Sequence, residues 1–222
     1  MVKMRGDKKM SQITFALAKG RLAEKAMGVL KELGITCKEM EEESRKLLFT
    51  SDDGKYHFFL SKASDVPTYV DYGVADIGIV GKDTILEENR AVYEVIDLGF
   101  GVCKMAVAGK PEKKELLESG GLIRIATKYP SIAKKYFEKT NRPVEIIKLH
   151  GSVELGPIVG LSDVIVDIVE SGKTLAENGL VVLEDIEPLS ARCIVNTASL
   201  KVKHSEMRSL LNDIEKKMGE RK

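Results

Sequence analysis

Short apolar runs and longer amphipathic stretches alternate along this chain with little interruption. The run ITFAL (Ile13 to Leu17) leads into the polar loop AKGR, then into apolar positions at helical spacing from Leu22 to Leu33 that stop at Gly34. That order predicts strand, loop, helix. Two strand-like runs, Leu47 to Thr50 and Tyr56 to Leu60, flank SDDG, where Asp-Gly supplies the positive φ angles of a hairpin turn. SDVPTYVDYG predicts a helix opening at Ser64 or Asp65 with its own cap and with Pro67 in its first turn. VADIGIVG, bounded by Gly73 and Gly81, reads as a buried parallel strand, after which Asp83 is placed to cap the helix DTILEEN.

Beyond VYEVIDLGFG the run CKMAVAG is a further strand, and Pro111 opens a lysine- and glutamate-rich helix. LIRIAT, SIAKKYFEKT, VEIIKLH, ELGPIVGL, VIVDIV, SGKTLAENG and VVLEDI continue the alternation. ARCIVNTASLKVK reads as a return strand, and the terminal helix carries Met207, Leu210, Leu211, Ile214 and Met218 on one stripe. This alternation predicts an α/β fold with mostly parallel sheets. With no repeat and no long Ser/Pro/Gly linker, two lobes have to be joined by short strand-like crossings, expected near Val102 and Glu184. Lobe I is then residues 1–102 with 185–222, lobe II is residues 103–184, and the cleft between them is where ligands usually bind.

Composition narrows the function classes. The 222 residues suffice for a sizeable core, and 43% apolar with 31% charged residues at a formal charge of +1 is an ordinary soluble balance, not that of a nucleic-acid coat. No run approaches the roughly 20 apolar residues a bilayer span needs, and MVKMRGDKKMSQ lacks the apolar core of a secretory signal. The three cysteines, Cys37, Cys103 and Cys193, are odd in number, far apart and without metal-ligand spacing, which predicts reduced thiols in a cytoplasmic protein.

The candidate chemistry centres on VDIVESGKTL. A nucleotide P-loop requires a glycine five residues before the glycine of its Gly-Lys pair, and Asp167 stands there instead. What remains is a strand ending in acids, a tight turn at Gly172, and the hydroxyls of Ser171 and Thr174 beside a helix start whose free N–H groups attract phosphate. Asp167 and Glu170 can accept hydrogen bonds from sugar hydroxyls, so one loop can hold a ribose phosphate; the alternative is an ordinary capped helix.

The stretches ALAKGRL, ESRKL, ASDVPTYVDYGVADIGIVGKD, RIATKYP, VEIIKLHGSVELGPIVGLSDVIVDIVESGKTLAENGL and IVNTASLK, in this order from Ile13 to Lys203, resemble the ATP phosphoribosyltransferases that open histidine biosynthesis. The likeness is to the short form, without the C-terminal histidine-binding regulatory domain. It implies a two-lobed fold similar to type II periplasmic binding proteins, with the active site in the cleft. The implied reaction joins N1 of ATP to C1 of phosphoribosyl pyrophosphate and releases pyrophosphate, a pentosyl transfer that requires magnesium (Mg2+), held through the substrate phosphates with no protein ligand assigned. The implied partner is a regulatory subunit resembling histidyl-tRNA synthetase, around a homodimer core within a hetero-oligomer. Neither nucleic acid nor membrane is an expected partner.

On that reading Asp167 and Glu170 stabilise positive charge on the ribose ring, as carboxylates do in glycoside cleavage. Ser171, Gly172, Lys173 and Thr174 hold the 5-phosphate, and Lys19, Gly20 and Arg21 take the pyrophosphate from the other wall of the cleft. Arg45, Lys62, Asp83, Gly151 and Ser152 are expected at ATP or pyrophosphate. Long-form relatives carry arginine near the position of Lys62, and lysine makes a point contact where arginine would be bidentate. His150 is not needed as a base, since N1 of adenine is already a neutral nucleophile. The competing class is a two-lobed small-ligand-binding module without catalysis; an acidic loop of this kind is more than passive capture needs.

Overall fold

The computed structural model describes residues 12–41 and 46–221. In chain order the regular elements begin with β1 (Ile13–Ala18), α1 (Arg21–Glu32), β2 (Leu48–Thr50), β3 (Tyr56–Ser61), α2 (Val66–Asp71), β4 (Ile77–Gly81), α3 (Lys82–Glu88) and β5 (Tyr93–Asp97). There follow β6 (Cys103–Gly109), α4 (Lys114–Glu118), β7 (Ile123–Thr127), α5 (Pro130–Lys139), β8 (Val144–Lys148), α6 (Leu155–Val159), β9 (Val164–Val169) and α7 (Lys173–Glu177). The chain closes with β10 (Val181–Leu189), β11 (Ala191–Val195), α8 (Thr197–Val202) and α9 (His204–Gly219).

Over the described residues the chain divides into two compact units. Residues up to Val80, Arg90–Gly99 and those from Ala191 onward form the first; Gly81–Asn89 and Phe100–Ser190 form the second. One changeover falls at Gly99, close to Val102, the other at Ser190, beyond Glu184, and α3 goes with the second unit. The physical reason is β10, which stays paired with β6 from Val181↔Gly109 to Leu189↔Cys103, well past Glu184. Pro188 is tolerated there because β10 is an edge strand, where a missing N–H breaks no ladder.

In the first unit the strand order is β2-β3-β1-β4-β11-β5. β1 lies parallel to β3, with Ala18 opposite Ser61, and parallel to β4, with Leu17 opposite Ile79. β2 and β5 pair antiparallel with β3 and β11. The apolar stripe of α1 buries Ala23, Ala26, Val29 and Leu30, and that of α9 buries Met207, Leu210, Ile214 and Met218. Both stripes follow the 3.6-residue period that the chain pattern shows.

The second unit has the order β10-β6-β9-β7-β8. β9 runs parallel to β7, with Thr127 opposite Val166, and antiparallel to β6, with Ala106 opposite Asp167. Met105, Val107, Ile125, Val164 and Val166 pack on one face with Phe137. Ala106, Ala108, Ala126 and Ile165 pack on the other with Val153, Leu175 and Leu180. Two covered faces explain why VIVDIV reads as an apolar run without alternation. α6 sits on that second face through Gly156, where a Cβ would lie 2.6 Å from Ser162 Oγ and 2.9 Å from Ala126 Cβ. At the start of β9, Asp163 accepts from the Arg124 amide (3.0 Å), Arg124 Nε (3.2 Å) and Lys113 Nζ (2.9 Å).

Three local expectations change. Both sheets are mixed, with antiparallel pairs beside the parallel ones. The return strand ends at Val195, because Asn196 Oδ1 accepts from the Ala198 and Ser199 amides (3.0 and 2.8 Å) and starts α8. Neither Asp65 nor Asp83 makes a side-chain cap: Asp65 precedes α2 without such a bond, and α3 begins at Lys82.

Candidate functional site

The parallel strands of the second unit end together. β7, β8 and β9 deliver the Lys128–Tyr129 turn, the His150–Ser152 loop and the Glu170–Thr174 loop to the same edge of one sheet, the edge at which α/β proteins bind ligands. β9 carries the half-buried Asp167 to that edge and leaves Glu170 and Ser171 exposed beyond it. Gly172 turns the chain at φ 72°, a left-handed conformation that glycine adopts without a Cβ penalty. The i→i−4 ladder of α7 opens with the Ala176 amide donating to Gly172 O (3.0 Å), so the amides of Lys173, Thr174 and Leu175 precede it. The Lys173 amide donates to Ser171 Oγ over 3.4 Å, and the Lys173 ammonium lies along the helix, 3.8 Å from Glu177.

Asp167 sits among charges from several elements. Burial raises its carboxyl above the ordinary range, helped by the Glu154 and Asp83 carboxylates and opposed by the Ile168 amide and Lys128. Tyr129 is buried; its phenol is pushed up by burial and by the Asp83 and Asp167 carboxylates that it faces. Thr127, wholly buried, donates its hydroxyl to Val166 O (2.6 Å) and accepts the Tyr129 amide (2.8 Å). Cys103, at the adjoining end of β6, has its thiol raised by burial and by Asp83 and Glu170. In the loop ahead of α6, Gly151 and Ser152 are exposed, with Ser152 in the left-handed region at φ 46°.

The remaining predicted residues belong to the first unit. Lys19, Gly20 and Arg21 follow β1 and Lys62 follows β3, all exposed. Because Ala18 pairs with Ser61 and the Lys19 amide donates to Ser61 O (2.9 Å), Lys19 and Lys62 leave the sheet side by side. Arg45 lies outside the described residues. Each unit thus assembles its own set at parallel strand ends: cations in the first, carboxylates with a phosphate-type turn in the second.

The family model described as ATP phosphoribosyltransferase (HisG) matches residues 62–216, which include the whole of the second unit's site. The chain belongs to the ATP phosphoribosyltransferase family. It is 61% identical over 213 residues to an ATP phosphoribosyltransferase of Lachnoclostridium phytofermentans, covering 95% of this chain and 99% of that one. A second relative of that name, from Lachnospira eligens, is 59% identical over 209 residues, with 93% and 97% covered. Among solved structures, one described as the ATP phosphoribosyl transferase (HisG:HisZ) complex from Thermotoga maritima aligns with TM-score 0.78 and 36% identity over 94% of this chain and 100% of that one. The periplasmic aliphatic sulphonate binding protein SsuA of Escherichia coli aligns with TM-score 0.59 at 10% identity, over 93% of this chain and 68% of that one. At that identity the likeness shows a shared fold alone, the periplasmic-binding-protein type.

For a member of the ATP phosphoribosyltransferase family, the residues that pattern reading passes over are Thr127, Lys128, Tyr129 and Glu154. RIATKYP carries three of them and reads in sequence as strand followed by helix. Their relation to Asp167 arises from the pairing of β7 with β9, a contact between residues 39 apart.

Proposed function

We propose that the second unit's strand-end loops seat phosphoribosyl pyrophosphate and that the chain transfers its phosphoribosyl group to N1 of ATP, releasing pyrophosphate, in the first step of histidine biosynthesis. The observation that carries this reading is Asp167, a half-buried carboxylate presented beside a glycine-turned loop with hydroxyls at Ser171 and Thr174. Adenine N1 attacks C1 as the bond from C1 to the pyrophosphate oxygen breaks, leaving positive charge shared over the ribose ring. Asp167 and Glu170 stabilise that charge; no covalent nucleophile is required. The Gly172 turn, the early amides of α7 and the Ser171 and Thr174 hydroxyls hold the 5-phosphate. Lys19, Gly20 and Arg21 receive the departing pyrophosphate, and Arg45, Lys62, Asp83, Gly151 and Ser152 serve ATP or pyrophosphate.

Asp167 acts as an anion, so a carboxyl titrating above its usual range loses activity as pH falls through that raised value. Magnesium would be held through the phosphates of the two substrates, with no protein ligand assigned. Among the described residues no group of three or more His, Cys, Asp or Glu side chains is placed to hold a metal by itself. When bound on the phosphates, the ion neutralises charge on the leaving pyrophosphate.

The Thermotoga neighbour is described as a HisG:HisZ complex, and a regulatory subunit of that kind, resembling histidyl-tRNA synthetase, is the partner proposed around a homodimer of this chain. This is the short-form arrangement. A cytoplasmic location is part of this proposal; the three described cysteines are free, and among the described residues no helix is long and apolar enough to cross a membrane. The test is pyrophosphate release from ATP and phosphoribosyl pyrophosphate with magnesium, with and without the synthetase-like subunit. Turnover is expected, larger with the subunit; none in either case overturns the reading in favour of a binding module.

A further inference from the structure

We propose that Thr127 and Tyr129 are positioning residues for this transfer: the Thr127 hydroxyl pins the Lys128–Tyr129 turn onto β9 at the peptide before Asp167, so that the buried Tyr129 is kept facing Asp83 and Asp167. The inference rests on the phosphoribosyl-transfer reading of the site. Its geometry is local and specific. Thr127 has no exposure, and its one hydroxyl both donates to Val166 O at 2.6 Å and accepts the Tyr129 amide at 2.8 Å. Thr127 is the last residue of β7 and lies opposite Val166 in the ladder, and its hydroxyl extends that link past the strand's end to the Tyr129 amide. A buried hydroxyl that satisfies two main-chain groups fixes both, because losing it leaves a donor and an acceptor unpaired away from water.

The turn so held carries two groups that bear on Asp167. Lys128 is its nearby cation, and the Tyr129 phenol faces both Asp167 and Asp83. The other groups facing Asp167 are Glu154, ahead of α6, and the Ile168 amide of its own strand. With two carboxylates raising the Asp167 carboxyl and one lysine opposing them, a neutral phenol facing both Asp83 and Asp167 offers its dipole to them and lessens their repulsion. Loosening the turn moves Lys128 and Tyr129 together, so Asp167 loses both alignment and ionisation.

The experiment uses the full chain assembled with its synthetase-like subunit and compares Thr127→Val, Thr127→Ser and Tyr129→Phe, with folding followed by circular dichroism. Thr127→Val keeps shape and removes the hydroxyl; kcat should fall by about 30-fold while the KM for phosphoribosyl pyrophosphate moves by less than about threefold. Thr127→Ser keeps the hydroxyl and should restore kcat to within about threefold of the unchanged protein. Tyr129→Phe should lower kcat about tenfold and move the acid limb of the kcat profile up by about half a pH unit, because without the phenol dipole Asp83 disfavours ionised Asp167 more strongly. A merely structural hydroxyl would lower the unfolding midpoint and leave kcat and its pH profile in place. Folded Thr127→Val with unchanged kcat, or Thr127→Ser as impaired as Thr127→Val, overturns the proposal. Should Thr127→Val fail to fold, Tyr129→Phe decides it, and an unmoved kcat and acid limb overturns it. If the unchanged protein itself shows no turnover, the underlying reading fails and takes the inference with it, an outcome distinct from variants that match an active parent.

Discussion

The two ends of β9 carry aspartates four residues apart that face opposite demands. Asp163, at the beginning, is surrounded: Lys113 and Arg124 donate to it, and the Arg124 amide completes its set. Although burial works against ionisation, those donors hold its carboxyl down at about 2. Asp167, at the far end, is also removed from water, yet it has Glu154 and Asp83 for neighbours and its carboxyl is pushed up. One aspartate is satisfied by the fold; the other is left beside like charges, as its proposed place at the substrate asks. A buried charge left short of partners costs stability, and proteins keep such groups where a ligand supplies the missing charge.

Changing each aspartate to asparagine is the sharpest way to break this comparison. Asp167→Asn should lower kcat about 1,000-fold, the scale of losing an electrostatic stabiliser of the transition state. Asp163→Asn should leave kcat per folded molecule within about twofold, measured in the same assay. Equal losses at both positions would erase the distinction between the ends of the strand.

Stability should reverse the order. Asp163→Asn removes one partner of a buried network and should cost about 2 kcal/mol at pH 7, read from urea unfolding midpoints. A carboxyl held below its unfolded value contributes fully above about pH 4 and loses that contribution as pH falls towards 2. The unchanged protein should therefore lose stability across that window more steeply than Asp163→Asn. At the phosphate turn, Thr174→Ala should weaken phosphoribosyl pyrophosphate binding about tenfold by calorimetry and ATP binding by less than twofold. Matching losses would detach the 5-phosphate from this loop. The smallest effect expected is a gain: Asp167→Asn relieves an unfavourable buried charge and should raise stability by about 0.5 to 1 kcal/mol at neutral pH.

Parts of this site could be read before any fold was seen, and the difference between those parts and the rest is physical. Asp167, Glu170, Ser171, Gly172 and Thr174 fall within eight residues, and the strand, the turn and the helix start that display them are all local signals. Strand-helix alternation likewise announced the α/β class. Thr127 and Tyr129 were opaque because a buried hydroxyl spanning two strands has no signature along either one. Asp83 looked like a helix cap, whereas α3 starts one residue earlier and makes no side-chain cap bond. Asn196 did carry a visible cap signal, but the apolar run before it suggested that the strand continued. Extent was the least accessible property: nothing in VVLEDI says that an edge strand will run on through a proline to Leu189.

Gly156 gives the ligand loop its mechanical character. Most helices rest on a sheet through a cushion of side chains that can repack, but here the α6 backbone lies against Ser162 and Ala126 with no room for a methyl group. The loop ahead of that helix, with Gly151, Ser152 and Glu154, inherits the stiffness of the sheet itself. If this loop meets ATP as proposed, its discrimination is by exclusion: a base or sugar with one extra substituent meets a surface that does not yield.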